Sequence, residues 1–418
     1  MERVYSILDT DLYKFTTSYA YMKKFPDAEC TFTFKDRNKV KRSKKFLEEF
    51  KKEIKKWENV GLTIEEFAWI LNSHKMDFIA TYYWEWLKSF RFDVSKMKIY
   101  LDEESVLCVE VTDKCYKASL YEIPVLFSVP EVNNRGKKIN WQLTIDKLAE
   151  KVSLANENGM LFSEFGTRRR FNYEVQDKVC EYLKKNSKTC VGTSNVHFAM
   201  KYNMTPIGTH PHEWFMFHGA QYGYKAANYV ALENWVDVYD GDLGIALSDT
   251  YTSDVFFKSF SLKQAKLFDG VRQDSGDERE FTDKTIEFYK SKGIDYHNKT
   301  IVFSNALTFP KAVEVLKYCN TVGIKCSFGI GTNLTCDVYA PDGTKYDSEN
   351  IVMKMSRCRM NPNQTWYLCI KISDDLGKHM GDNQEFNHAC YELGIPISFN
   401  HVDPKGEPGE DGSKFINK

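Results

Sequence analysis

Apolar side chains at Leu12, Phe15, Tyr19 and Met22 recur at helical spacing and predict a helix over 12–25, capped by Thr10 or Asp9 and ended by Pro26. The period then drops to two. Cys30, Phe32 and Phe34 alternate with Thr31 and Thr33, as in a half-buried strand. Phe46, Phe50, Ile54 and Trp57 mark one face of a helix rich in Lys and Glu. The glutamates scattered through the run from Lys39 to Lys56 read as a solvated helix face rather than an anion patch. Thr63 and Glu66 have capping-box spacing, and the aromatic segment from Phe78 to Phe90 reads as a core helix. KIYL (98–101), SVLCVEV (105–111) and IPVLFSV (123–129) read as strands. Residues 1–130 therefore form an α+β domain, expected to be completed by C-terminal strands within 350–418.

Beyond Trp141 the rhythm changes. Short apolar runs alternate with amphipathic helices, and the runs end near Phe165, Gly208, Ser248, Asp274, Ser304 and Ile330. Such alternation builds parallel βαβ units, so 131–349 is expected to be a β/α barrel or a doubly wound sheet. Polar residues follow every run, at the edge where both architectures place their chemistry. A polar tail begins near Asp403.

Composition narrows the possibilities. Fifty-seven Lys+Arg against 58 Asp+Glu leave no basic excess for a nucleic-acid coat. The 11 cysteines never come closer than seven positions, which excludes CxxC knuckles and points to buried thiols in a reducing cytosol. No stretch reaches the ~18 apolar residues of a membrane span, and the amino end lacks a secretory pattern. The expected location is cytoplasmic.

Several strand ends carry candidate chemistry. Glu164-Phe165-Gly166-Thr167-Arg168-Arg169-Arg170 puts fixed positive charge after a strand, and guanidinium forks suit carboxylate and phosphate oxygens. Residues 192–195 (GTSN) open a helix and could seat an anion or simply cap it. GTHPHEW holds His210, His212 and Glu213, with His218 further on; these histidines read equally as metal ligands, catalytic groups or structural groups. Asp249, Asp274 and Asp277 with Arg272 suit Mg²⁺ and phosphates, and Ser275 adds a hydroxyl. Gly329, Gly331, Thr332 and Asn333 can form a phosphate cradle.

Seven segments taken in order resemble the nicotinate phosphoribosyltransferase family: LDTDLYKF (8–15), EFGTRRR (164–170), GTSNV (192–196), GTHPHEW (208–214), IALSDTYTSDVF (245–256), VRQDSGD (271–277) and FGIGTNL (328–334). The resemblance implies an irregular parallel β/α barrel of the type II phosphoribosyltransferase kind with an additional α+β domain, commonly a homodimer. It implies that nicotinate, phosphoribosyl pyrophosphate and ATP become nicotinate mononucleotide, pyrophosphate, ADP and phosphate, the first step of NAD synthesis from nicotinate.

Tyr13, from its own or the partner subunit, and Phe165 would sandwich the pyridine, with Arg168 on the carboxylate or a phosphate. His212 would be transiently phosphorylated by ATP. Arg272, Asp274, Ser275 and Ser304 would meet ribose and phosphates, Asp249 and Asp274 would lie near Mg²⁺, and Gly331 and Thr332 would cradle the 5′-phosphate. Related nicotinamide enzymes carry an aspartate where Ser194 stands. A hydroxyl there can donate to a carboxylate, which favours the acid as substrate. The alternatives are a nicotinamide phosphoribosyltransferase and a metal-dependent barrel hydrolase using His210 and His212.

Overall fold

The alternating segment at Cys30–Phe34 becomes β1 (Glu29–Asp36), the central strand of an antiparallel sheet in the computed structural model, which describes residues 4–375 and 378–396. The other strands of this sheet are β2 (Met97–Leu101), β3 (Leu107–Lys114), β10 (Ile351–Arg359) and β11 (Tyr367–Leu368), in the order β11-β10-β1-β3-β2. β1 pairs with β3 on one side and with β10 on the other, so the sheet joins the two ends of the chain. The tail from Asp403 lies outside the described residues. The predicted helices appear at Leu12–Lys24, Lys44–Lys55, Ile64–Ser73 and Thr81–Ser89, and Thr63 and Glu66 do form the capping box. No helix among the described residues is long and apolar enough to cross a membrane.

IPVLFSV is not a strand. It lies inside a helix, Glu122–Asn133, that is buried from Glu122 through Pro130. A helix covered on every side shows no amphipathic period, so its sequence cannot be told from a buried strand. Pro124 is tolerated because it lies in the first turn, where backbone N–H groups have no intrahelical acceptor.

The second sheet is parallel, in the order β5-β4-β9-β8-β7-β6. It comprises β4 (Phe162–Glu164), β5 (Cys190–Thr193), β6 (Ile245–Leu247), β7 (Gly270–Gln273), β8 (Thr300–Phe303) and β9 (Lys325–Ile330). Five of these end within one residue of the positions read from the sequence. The exception is TPIGTH, expected as a strand ending at Gly208; the strand is CVGT instead. Its neighbour 205–210 makes a single parallel bridge, Thr193 to Pro206, and Pro206 has no N–H to extend a ladder.

Segment 205–210 nevertheless closes the barrel. Thr193 donates to Thr205 O (3.1 Å), Ile207 donates to Thr193 O (2.9 Å), and the His210 Nδ1–H donates to Ile245 O of β6 (2.8 Å). The irregular barrel and the separate antiparallel sheet together give the α/β fold with an additional α+β unit.

Candidate active site

The ends of the parallel strands open into one cleft of about 210 Å³. Phe165 follows β4, and its ring lies against β9: a Cβ on Gly329 would come within 2.3 Å of Phe165 Cδ2, so glycine is required there. Gly331 and Thr332 continue the same rim. Thr167–Arg169 is a 3-10 turn. It sends Arg168 and Arg169 into the cleft. Arg170 turns the other way into the core, gripping Asp9 with both Nη atoms (2.7 and 2.8 Å) over the Phe127 ring. Of the three arginines, two therefore serve the cleft and one holds the fold.

β7 and β8 supply the hub. Arg272 donates to Ser304 Oγ (2.8 Å), Thr209 Oγ1 (2.8 Å) and Asp274 Oδ1 (2.9 Å). Ser304 donates to the same Asp274 oxygen (2.7 Å), and Asp274 Oδ2 lies 3.0 Å from His212 Nε2. Burial alone would raise the Asp274 pKa, but the Arg272 guanidinium and His212 hold it well below the ordinary carboxylate range.

His212 is the first residue of helix His212–Tyr222. Its Nδ1 sits 3.0 Å from Thr250 Oγ1, while Nε2 faces the cleft between Asp274 and the Lys371 ammonium (3.1 Å). Burial, reinforced by Lys371, lowers its pKa to about 4 against the pull of Asp249 and Asp274, so the ring is neutral near pH 7. With the proton on Nδ1, the Nε2 lone pair accepts from Lys371; with the proton on Nε2, the ring donates to Asp274 instead.

His210, two residues away, has a different role. Its ring is packed against Trp235 (4.4 Å between centroids), Phe215 and Phe268, and burial lowers its pKa to about 3. It does not join His212 in a metal site; the one ligand cluster among the described residues is His212, Asp249 and Asp274. The His-x-His hydrolase reading loses its basis. His218 is likewise internal, bonded to Trp214 O (2.6 Å) and Asn234, and Glu213 turns into the core to pair with Lys14.

Three predicted contacts stand behind the wall rather than on it. Ser275 donates to Asp249 (2.6 Å), Asp249 is itself buried, and Ser194 donates to Asp11 (2.7 Å). The short helix Val196–Lys201 is capped by Asn195, not by Thr193 or Ser194 as plain capping of that segment would have it. Tyr13 lines the cleft of its own chain.

The opposite wall was not read from the sequence. Arg37 follows β1, Lys354 lies on β10, and Lys371 and Lys378 come from the segment after β11. With Arg168, Arg169 and Arg272 they put seven cationic side chains around the cleft against one lining carboxylate, Asp274, among the described residues. The only available signal was four isolated cations without a motif.

Comparison with known proteins places this geometry. Residues 8–130 match the model of the nicotinate phosphoribosyltransferase (NAPRTase) N-terminal domain, and residues 160–396 match the nicotinate phosphoribosyltransferase (NAPRTase) family model. The chain is similar to the nicotinate phosphoribosyltransferase of Chromohalobacter salexigens, with 40% identity covering 90% of this chain and 95% of the relative. It is similar to that of Methanosarcina mazei at 39% identity, covering 93% and 98%. Among solved structures, nicotinate phosphoribosyltransferase from Porphyromonas gingivalis superposes with a TM-score of 0.91 at 43% identity, covering 94% of this chain and all of that one.

Proposed function

Because the chain belongs to the nicotinate phosphoribosyltransferase family, and is an enzyme of that type acting in NAD biosynthesis, we propose that this one cleft seats both substrates and an ATP-driven histidine switch. The observation that carries the reading is the lining itself: seven cations and a single carboxylate beside Tyr13 and Phe165. Such a surface suits a pentose with phosphates at both ends next to a flat, negatively charged ring.

Nicotinate lies between Tyr13 and Phe165 with its carboxylate toward Arg168. Arg272, Asp274 and Ser304 orient the ribose, and the small residues Gly331 and Thr332 let the 5′-phosphate approach the backbone. Arg37, Lys354, Lys371 and Lys378 face the pyrophosphate. The pyridine nitrogen attacks C1 of phosphoribosyl pyrophosphate, the C1–N bond forms, and the C1–O bond breaks to release pyrophosphate. The nucleophilic nitrogen carries no proton at neutral pH, so no side chain acts as a base. The protein contributes position and charge stabilisation around an oxocarbenium-like transition state.

Mg²⁺ fits this donor set. Asp249 Oδ1 is buried and accepts no hydrogen bond, and a ligand atom of Asp274 lies within 4.8 Å of one from Asp249. Asp249 and Asp274 would hold the ion, which supplies charge neutralisation of the departing phosphates. ATP is the co-substrate. His212 Nε2 attacks the γ-phosphorus, the bond to the ADP oxygen breaks, and water later hydrolyses the phosphoryl group. Lys371 stands ready to balance the added charge.

The test combines protein, phosphoribosyl pyrophosphate and Mg²⁺ with nicotinate or nicotinamide, with and without ATP, and follows pyrophosphate. Release with nicotinate, stimulated by ATP, is expected. Preference for nicotinamide, or no release in any mixture, would overturn the assignment.

A further inference from the structure

Asp11 occupies the N-cap position of helix Leu12–Lys24, yet its side chain makes no capping hydrogen bond. An aspartate at this position ordinarily accepts from the first free N–H groups and steadies the helix. Here the carboxylate turns away. It is 2% exposed, Oδ1 accepts from Ser194 Oγ at 2.7 Å, and Oδ2 lies 3.9 Å from Arg168 Nε. A buried charge that forgoes its local partners is costly unless another interaction needs it.

The geometry supplies that need. Arg168 lines the cleft together with Tyr13 and Phe165, and Asp11 stands behind it on the Nε side. A guanidinium that faces a carboxylate on its Nε side, here as an ion pair at 3.9 Å, keeps its two Nη groups for a second, planar anion. Ser194, which does not reach the cleft, fixes the rotamer of Asp11. Leu12 N also donates to Ser194 O (2.7 Å), tying Tyr13's helix to the strand end that carries Ser194.

We propose that Asp11, oriented by Ser194, is the positioning residue that aims Arg168 at the carboxylate of the aromatic substrate and thereby sets acid over amide. This inference rests on nicotinate being the substrate and adds a residue pair that touches neither substrate. Burial raises the Asp11 pKa, and the Arg168 charge together with the Ser194 and Thr167 hydroxyls opposes the rise.

The experiment compares wild type, Asp11→Asn and Ser194→Ala by steady-state kinetics, varying nicotinate, nicotinamide and phosphoribosyl pyrophosphate separately, with thermal melting as the fold control. Asp11→Asn should raise KM for nicotinate roughly tenfold or more, the loss expected of a charge-assisted contact. KM for phosphoribosyl pyrophosphate should stay within about twofold, and the nicotinate-to-nicotinamide preference should shrink by a similar factor. Ser194→Ala should shift the same two quantities by about threefold. Equal rises in both substrates' KM values, or an unchanged acid-to-amide ratio, would overturn the inference. Should Asp11→Asn fail to fold, Ser194→Ala decides on the same criteria. A wild type inert toward nicotinate would sink the assigned reaction itself, which separates the two failures.

Discussion

Phe165, Arg168, Arg272, Asp274, Ser304 and Gly331 reach the cleft from the ends of parallel strands or the turns just past them, whereas Arg37, Lys354, Lys371 and Lys378 reach it from the antiparallel sheet and the segment after β11. The first group is locked. Arg272, Asp274 and Ser304 bond one another at 2.7–2.9 Å, and Gly329 leaves room for one ring only. The second group sits on long side chains held unevenly, Lys354 beside Glu122 at 3.6 Å but Lys378 bonded to Asn305 at 2.6 Å. A preorganised rim can be stronger in the transition state than in the ground state, while a cationic wall attracts phosphate in both. Changes in the rim should therefore strike turnover, and changes in the wall should strike affinity.

Asp274 gives that comparison its hardest test. It joins Arg272 and Ser304 and lies beside His212, so Asp274→Ala leaves a buried guanidinium and a hydroxyl without their shared acceptor. Truncating one member of a buried, bonded charge pair predicts a fall in kcat/KM of roughly a hundredfold or more, carried mainly by kcat. Steady-state kinetics with a melting curve would show it. A loss confined to KM would erase the distinction between rim and wall.

His212→Ala comes next. Its Nε2 faces the cleft but Nδ1 is committed to Thr250, so removal should abolish stimulation by ATP and leave slow, ATP-independent pyrophosphate release. No phosphate label from [γ-³²P]ATP should remain on the protein. Undiminished ATP stimulation would assign the switch elsewhere.

The rim was legible in the sequence because a strand end is local: a few apolar residues, then the polar ones that chemistry requires. Phe165, Arg272, Asp274 and Gly331 needed only that rule. Reading failed where tertiary context decided the outcome. IPVLFSV is buried on all sides, so neither period is visible, and CVGT is too short and polar to announce a strand. Arg168 and Arg170 look identical in the sequence, and only the partners Asp11 and Asp9 separate them. Ser194 was expected to meet the substrate, but the intervening Asp11 is 183 positions away in sequence. The lysines of the wall are unremarkable until β10 pairs with β1 and brings them across the cleft.

Lys354 offers the smallest effect and the finest distinction. Burial lowers its pKa to about 8 against the pull of Glu122, whose own carboxyl burial would raise but Lys14 and Lys354 hold at about 2. Phosphate binds the protonated ammonium, so above pH 8 binding must take up a proton, and KM for phosphoribosyl pyrophosphate should climb by at most roughly tenfold per pH unit. Stability runs the other way. The folded pKa lies below the unfolded value of 10.5, so between about 8 and 10.5 the unfolded chain holds more protons and this group's contribution to stability grows with pH. Affinity and stability thus diverge in one window, which separates titration of a binding cation from loosening of the fold. Lys354→Arg, charged throughout, should flatten the KM profile, and Lys354→Met should raise that KM several-fold at pH 7 with kcat nearly unchanged. A climb that persists in Lys354→Arg would move the titration to another group, with Lys371 the first to test, and a collapse of kcat in Lys354→Met would place β10 with the rim.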